Sequence, residues 1–330
     1  MRLHKDASRT QRAQLSCAVL LIAATGLPAA WAQSYPARPI RLLVASGPGG
    51  GQDFVARLVA PALTERMGQS IVVDNRAGAT GSIAAELASR AAPDGYTLLV
   101  MSASLVVYGA VNRTRYDLVG DFTPLSQITA APYVLIAHPT LPVTSVPELI
   151  AYAKAHPRKL NYFSTGNASF VHLATEWFRT EAGIDLVHVP YKGLGAAYPD
   201  LLAGRVQFGF GSPAFVMPHV RSQTLRPLAI TSEARAKTLP DLPTMIEAGM
   251  PGFVVSQWIG LLAPRGTPQA IVERLHREIV TALQQPDVTS RLAREGLDAL
   301  GTPPREFAAH LKSEHETWVR VIKRAGIRAE

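Results

Sequence analysis

Apolar residues arrive along this chain in short runs, each followed by a glycine- or serine-bearing stretch and then by apolar residues at helical spacing. That alternation of strand, loop and helix predicts parallel sheets covered by helices. The run 40–45 reads as a strand. Residues 54–67 carry apolar positions at helical spacing and stop at Gly68, with Pro61 predicting a kink. A strand over 70–74, a helix over 82–91 and a strand over 96–101 follow. No element is placed between 105 and 132. A second set then has strands over 133–137, 160–164, 186–189, 206–210 and 225–230, helices over 146–155, 169–181 and 196–203, and a helical turn over 215–220. A short helix over 244–248 and a strand over 256–263 precede three helices opened by Pro268, Pro286 and Pro303-Pro304, the last reaching 323.

The first thirty residues are of a different kind. Arg2, His4, Lys5, Arg9 and Arg12 precede an apolar run over 15–30, and Ala30-Trp31-Ala32 offers small residues at a peptidase site. This predicts an export signal over 1–32, cleaved after Ala32, and a periplasmic protein. Cys17 stands at the start of the apolar run, where a lipidated cysteine would follow it, so it reads as an ordinary signal-peptide residue. It is the chain's one cysteine, so the exported form is expected to hold no disulfide, Cys-bound metal or Cys nucleophile. That form carries 29 Lys and Arg against 24 Asp and Glu, a net charge of +5 with no basic cluster. A nucleic-acid partner is excluded on that count.

About 300 remaining residues exceed what one core usually serves, so two domains are expected. We assign 33–132 and 245–330 to lobe 1 and 133–244 to an inserted lobe 2, with crossings near 130–133 and 243–256 that would let the lobes hinge.

Ser46-Gly47-Pro48-Gly49-Gly50-Gly51-Gln52-Asp53 lies between a predicted strand and helix, where backbone N–H groups and a helix N-terminus favour an anion. A P-loop needs Gly-Lys-Ser/Thr where Gln52-Asp53 follow Gly51, and a dinucleotide fingerprint needs glycine at Gln52, so both nucleotide readings fail. Phosphate sites usually add Lys or Arg; a carboxylate can be held by N–H groups alone. Asp53 reads first as a helix cap and second as a ligand contact.

Ser164-Thr165-Gly166-Asn167-Ala168-Ser169 repeats the arrangement in the inserted lobe. Two helix starts facing across a cleft suit an acid group, or one at each end of a ligand. Residues 75–82 and Ser102 to Ser104 either line that cleft or are surface loop. No Gly-x-Ser-x-Gly elbow, His-Glu-x-x-His or i, i+4 histidine pair occurs, and nothing calls for a cofactor or metal. His172 reads first as an ordinary helix histidine and second as a polar pocket residue.

Tyr35-Pro36-Ala37-Arg38-Pro39-Ile40-Arg41, Pro48-Gly49-Gly50-Gly51-Gln52-Asp53, Asp74-Asn75-Arg76-Ala77-Gly78, Ala92-Pro93-Asp94-Gly95-Tyr96-Thr97 and His188-Val189-Pro190-Tyr191-Lys192-Gly193 resemble the Bug-type receptors of tripartite tricarboxylate transporters. Gly166-Asn167, His172-Leu173, Leu239-Pro240-Asp241-Leu242-Pro243-Thr244 and Gly260-Leu261-Leu262-Ala263-Pro264 continue the likeness in order. The resemblance implies a type II periplasmic-binding-protein fold, α/β, with two lobes each built on a mostly parallel sheet flanked by helices. It implies a receptor that captures a small carboxylate and delivers it to membrane permease subunits, or presents it to a sensor kinase; a monomer is expected, and without catalytic motifs a periplasmic enzyme is the remote alternative. Carried over by position, the ligand contacts are Ser46, Gly47, Gly50, Gly51, Gln52, Asp53, Ser102, Ser104, Ser164, Thr165, Gly166, Asn167, Tyr191, Lys192, Gly193, Gly211 and Ser212. Ser46, Gly211-Ser212-Pro213 and Ile259 depart from the family's usual residues, and a small residue at 46 suggests a bulkier ligand.

Overall fold

Two mixed sheets organise the protein, which was studied as a computed structural model describing residues 35–236 and 239–327. The expected leader and its cleavage site lie outside the described residues. From Arg38 onward the chain forms one compact unit. Its first sheet holds β1 (Ile40–Val44), β2 (Ile71–Asn75), β3 (Thr97–Ser102), β4 (Phe122–Pro132), β10 (Ser256–Pro264) and β11 (Asp298–Ala299), in the order β11-β4-β10-β3-β1-β2. The second holds β5 (Val134–Ala137), β6 (Asn161–Ser164), β7 (Val187–Pro190), β8 (Phe208–Gly211) and β9 (Arg226–Ile230), in the order β7-β6-β8-β5-β9.

Helices α1 (Gly51–Met67), α2 (Ser82–Ser89) and α3 (Ala103–Val111) follow the first three strands. α4 (Val146–Ala155), α5 (Phe170–Ala182), α6 (Leu194–Leu202) and α7 (Pro213–Arg221) belong to the second set. α8 (Gln269–Leu283), α9 (Pro286–Arg294) and α10 (Pro304–Ala325) complete the chain.

The sheets are less parallel than the alternation of elements suggests, and the path of the chain gives the reason. β4 carries the chain from the first sheet to the second and β10 carries it back, so as neighbours they must run oppositely; Ser256 pairs Pro132 and Gln257 pairs Ala131. The first and last strands of the second sheet, β5 and β9, are antiparallel on the same grounds. β3–β10, β4–β11 and β5–β8 are antiparallel as well, and β1–β2, β1–β3, β6–β7 and β6–β8 are parallel.

Thr231 stitches the two crossings together. Its amide donates to the Tyr133 carbonyl at 2.9 Å, its hydroxyl accepts the Tyr133 amide at 2.8 Å and donates to the Val255 carbonyl, and its own carbonyl accepts the Val255 amide at 3.0 Å. The residue is fully buried, and its hydroxyl pairs the Tyr133 amide and the Val255 carbonyl, backbone groups that would otherwise need another partner.

α10 bridges both halves. Glu314, largely shielded from solvent, accepts the Trp258 indole N–H of β10 at 2.5 Å and the Trp318 indole N–H at 3.2 Å. The Trp318 ring packs edge-on against Phe170 and Trp177 of α5, at centroid distances of 5.3 and 5.9 Å.

Several expectations change. α3 and β4 occupy the stretch left without elements. The short helix expected over 244–248 is a single capped turn: the Thr244 amide donates to Glu247, the Glu247 amide donates to the Thr244 hydroxyl, and Gly249 at φ +91° ends it. The chain then meets Pro251, which no helix could absorb there. Pro61, the expected kink, lies inside α1 and sits with Arg57 on the exposed side, where water can satisfy the carbonyl the proline cannot reach.

Candidate ligand-binding site

The first loop closes on itself through Asp53. Gly50, in extended conformation, caps α1 with its backbone, and Asp53 sits at the helix's third position. Its Oδ2 accepts the Gly49 amide at 2.9 Å; its Oδ1 accepts Arg57 Nε and Asn75 Nδ2, both at 2.9 Å. Asn75 also donates to the Ser46 carbonyl at 3.1 Å. Burial pushes the Asp53 carboxyl up, but the Gly49 amide, Arg57 and Asn75 outweigh it and hold it below the usual carboxylate range. Gly49, at φ +81°, supplies the left-handed turn that brings its amide round. Gln52 reaches across to β3, where its Nε2 donates to the Ser102 hydroxyl at 2.9 Å.

The second loop is held by two histidines. Ser164 Oγ accepts the Gly166 amide at 3.1 Å and lies 2.6 Å from His188 Nε2. Ser169 caps α5 by accepting the His172 amide at 3.2 Å. The Ala168 amide donates to His172 Nδ1 at 3.0 Å, a bond that requires that nitrogen to be unprotonated. The imidazoles of His172 and His188 stack at 3.9 Å, and Tyr162 stacks on His188 at 4.9 Å. Tyr162 donates its hydroxyl to Glu176 at 2.7 Å, and Arg179 grips the same carboxylate with two nitrogens. Burial lowers the His172 pKa, with Glu176 opposing the shift and Arg179 adding to it. Burial, then the neighbouring His172, take His188 down to about 4. Both rings are therefore neutral at pH 7.

Between the strand ends of the two sheets lies a cavity of about 900 Å³. From the first sheet it is lined by Thr80 after β2, by Ser104, Tyr108 and Asn112 on or after α3, and by Gln257 of β10. From the second come Thr165, Asn167 and Ser169 after β6, His172 of α5 and Leu194 of α6. Loops beyond the carboxyl ends of strands are where open α/β sheets bind ligands. Val107, Tyr133, Phe170 and Ile327 add apolar wall.

Of the residues expected from sequence, Ser104, Thr165 and Asn167 line this cavity. Ser102, Ser164 and Gly166 stand one or two residues behind them, bound to Gln52, His188 and each other. Ser46, Gly47, Gly50, Gly51, Gln52 and Asp53 are outside the lining, as are Tyr191, Lys192, Gly193, Gly211 and Ser212. Tyr191 donates its hydroxyl to Asp200 at 2.8 Å, and Lys192 is exposed. Gly193 caps α6 at φ +99°. A Cβ at Gly211 would come within 2.8 Å of Val216, so packing explains that glycine. His172, first read as an ordinary helix residue, both lines the cavity and anchors its loop. Thr80 belongs to the 75–82 loop expected either to line the cleft or to be surface, and it lines the cavity; Tyr108, Asn112, Tyr133 and Gln257 carried no local signal, and only the meeting of separate elements identifies them. Among the described residues no cluster of metal-binding side chains occurs, and no helix is long and apolar enough to cross a membrane.

Residues 55–327 match the family model described as the tripartite tricarboxylate transporter family receptor. The protein BugT of Bordetella pertussis is 37% identical over 311 residues, 93% of this chain and 95% of its own. Rpa4515 of R. palustris, solved with adipate, superposes with a TM-score of 0.70 at 37% identity, covering 89% of this chain and 99% of that one. MatC from Rhodopseudomonas palustris, solved with bound malate, gives 0.68 at 32% identity, over 87% and 100%. The chain therefore belongs to the tripartite tricarboxylate transporter receptor family.

Proposed function

We infer that this protein is a periplasmic receptor that captures a small carboxylate between its two sheets and delivers it to membrane permease subunits. The observation that carries this reading is the cavity at the strand ends, lined by hydroxyls, amides and the starts of α3 and α5. Adipate and malate in the two relatives accord with it. The ligand contacts in this reading are Thr80, Ser104 and Gln257 on one side and Thr165, Asn167 and Ser169 on the other. The glycine loop 46–53 supports them from behind, through Gln52 and Ser102. Helix starts and neutral donors hold a carboxylate without a buried cation.

The division into lobes 33–132 with 245–330 and 133–244 belongs to this reading; its support is the membership of the two sheets. So do export with loss of 1–32, action as a monomer without turnover of the ligand, and the permease as partner in preference to a sensor kinase.

Thermal unfolding with a panel of mono-, di- and tricarboxylates tests the core of it. A ligand present at a hundred times its Kd stabilises by about 2.7 kcal/mol, a readily measured rise in Tm. No shift with any carboxylate would count against the reading.

A further inference from the structure

We propose that the cleft selects acids with an apolar body, carrying one carboxylate or one at each end of that body, and discriminates against compact polyanions such as citrate. This rests on the carboxylate reading above and narrows it.

Among the described residues lining the cavity there is no Lys, Arg, Asp or Glu. Its imidazole, His172, is held neutral by burial and by accepting the Ala168 amide. The wall therefore carries no formal charge at neutral pH. Compensation for an anion comes from the first turns of α3 and α5, represented in the lining by Ser104 and Ser169. Each helix start is worth about half a charge, on different sides of the cleft. One carboxylate at either end is matched; three on one small scaffold are not, and stripping water from uncompensated carboxylates is expensive.

The middle of the cleft is apolar on both sides. Val107, Tyr108 and Val111 present one face of α3 to the cavity, while Leu194 and Phe170 line it from the second sheet's helices. Filling that space with a hydrocarbon chain or ring removes apolar wall from water, which a four-carbon hydroxy acid cannot do. A volume of about 900 Å³ gives such a body room.

Isothermal titration of the purified protein with suberate, 4-phenylbutyrate, citrate and malate tests the proposal. One of the two apolar-bodied acids should bind at least tenfold more tightly than both citrate and malate. In the Leu194→Asn variant the ratio of apolar-acid to malate affinity should fall at least fivefold. Citrate or malate binding as tightly as the better apolar acid, or an unchanged ratio in the variant, overturns the selectivity while leaving the carboxylate reading intact. Failure of all four acids to bind overturns both.

Discussion

Asp53 holds three donors from three parts of the chain: the amide of the loop before it, an arginine one helical turn on, and Asn75 at the end of the neighbouring strand. Removing its carboxylate strands a backbone N–H and the buried side of an amide. Asp53→Ala should therefore cost about 2 kcal/mol in urea-induced unfolding. Titration gives a second prediction at this scale. His172 and His188 have lowered pKa values, so the unfolded chain takes up their protons first as pH drops, and stability declines from about pH 6.5 toward 4. Glu314 is the reverse case: burial pushes its carboxyl up to about 8 against the two indole N–H bonds. The folded state keeps that proton while the unfolded chain loses it, so stability also falls as pH rises from about 4.5 to 8, by at most about 1.4 kcal/mol per pH unit. Stability should peak near pH 6, and Glu314→Gln should flatten the decline between pH 6.5 and 8 whatever it does to the peak. A chemical-denaturation series across pH checks both limbs.

Among the elements, those whose boundaries are marked by local chemistry were legible. α4 spans the residues expected of it, because Ser145 caps it, Pro147 sits in its first turn, and its apolar spacing is clean. α3 was missed because Thr97–Ser102 and Ala103–Val111 form a nearly unbroken apolar stretch, in which strand and helix periods cannot be separated. β4 was missed for the opposite reason. It contains Pro124 and Pro132 and buries Ser126, Gln127 and Thr129, so it reads as a polar loop until β10 and β11 are paired on either side. The strands over 40–44 and 161–164 and the loops after them stood out in the sequence, as did the 75–82 loop that holds Thr80; Tyr108 and Gln257 did not, since nothing local ties these to a cleft. Crossings were expected near 130–133 and 243–256, but nothing in the sequence singles out Thr231 as the residue that ties them, and it offers a clear test. Thr231→Val keeps the shape and removes the hydroxyl that serves the Tyr133 amide and the Val255 carbonyl, and should destabilise by about 2 kcal/mol in thermal or urea unfolding. A loss below about 0.5 kcal/mol would mean the crossing does not depend on that hydroxyl.

For the whole molecule, two sheets joined by a buried threonine and bridged by α10 present their loop-bearing ends to one cavity. The wall there is uncharged, and in the function proposed above the helix starts on both sides share the task of meeting an anion. In that reading the glycine loop supports the site: Asp53 accepts the Gly49 amide, and Gln52 donates to Ser102. In the proposed function a carboxylate is held from both sheets at once. The most direct measurement is a crystal structure of the protein grown with the acid that gives the largest thermal shift. The account predicts that acid in the cavity, with a carboxylate oxygen within hydrogen-bond distance of the 165–169 loop and the ligand also touching Thr80, Ser104 or Gln257. An acid bound elsewhere, or resting on one sheet alone, would contradict it.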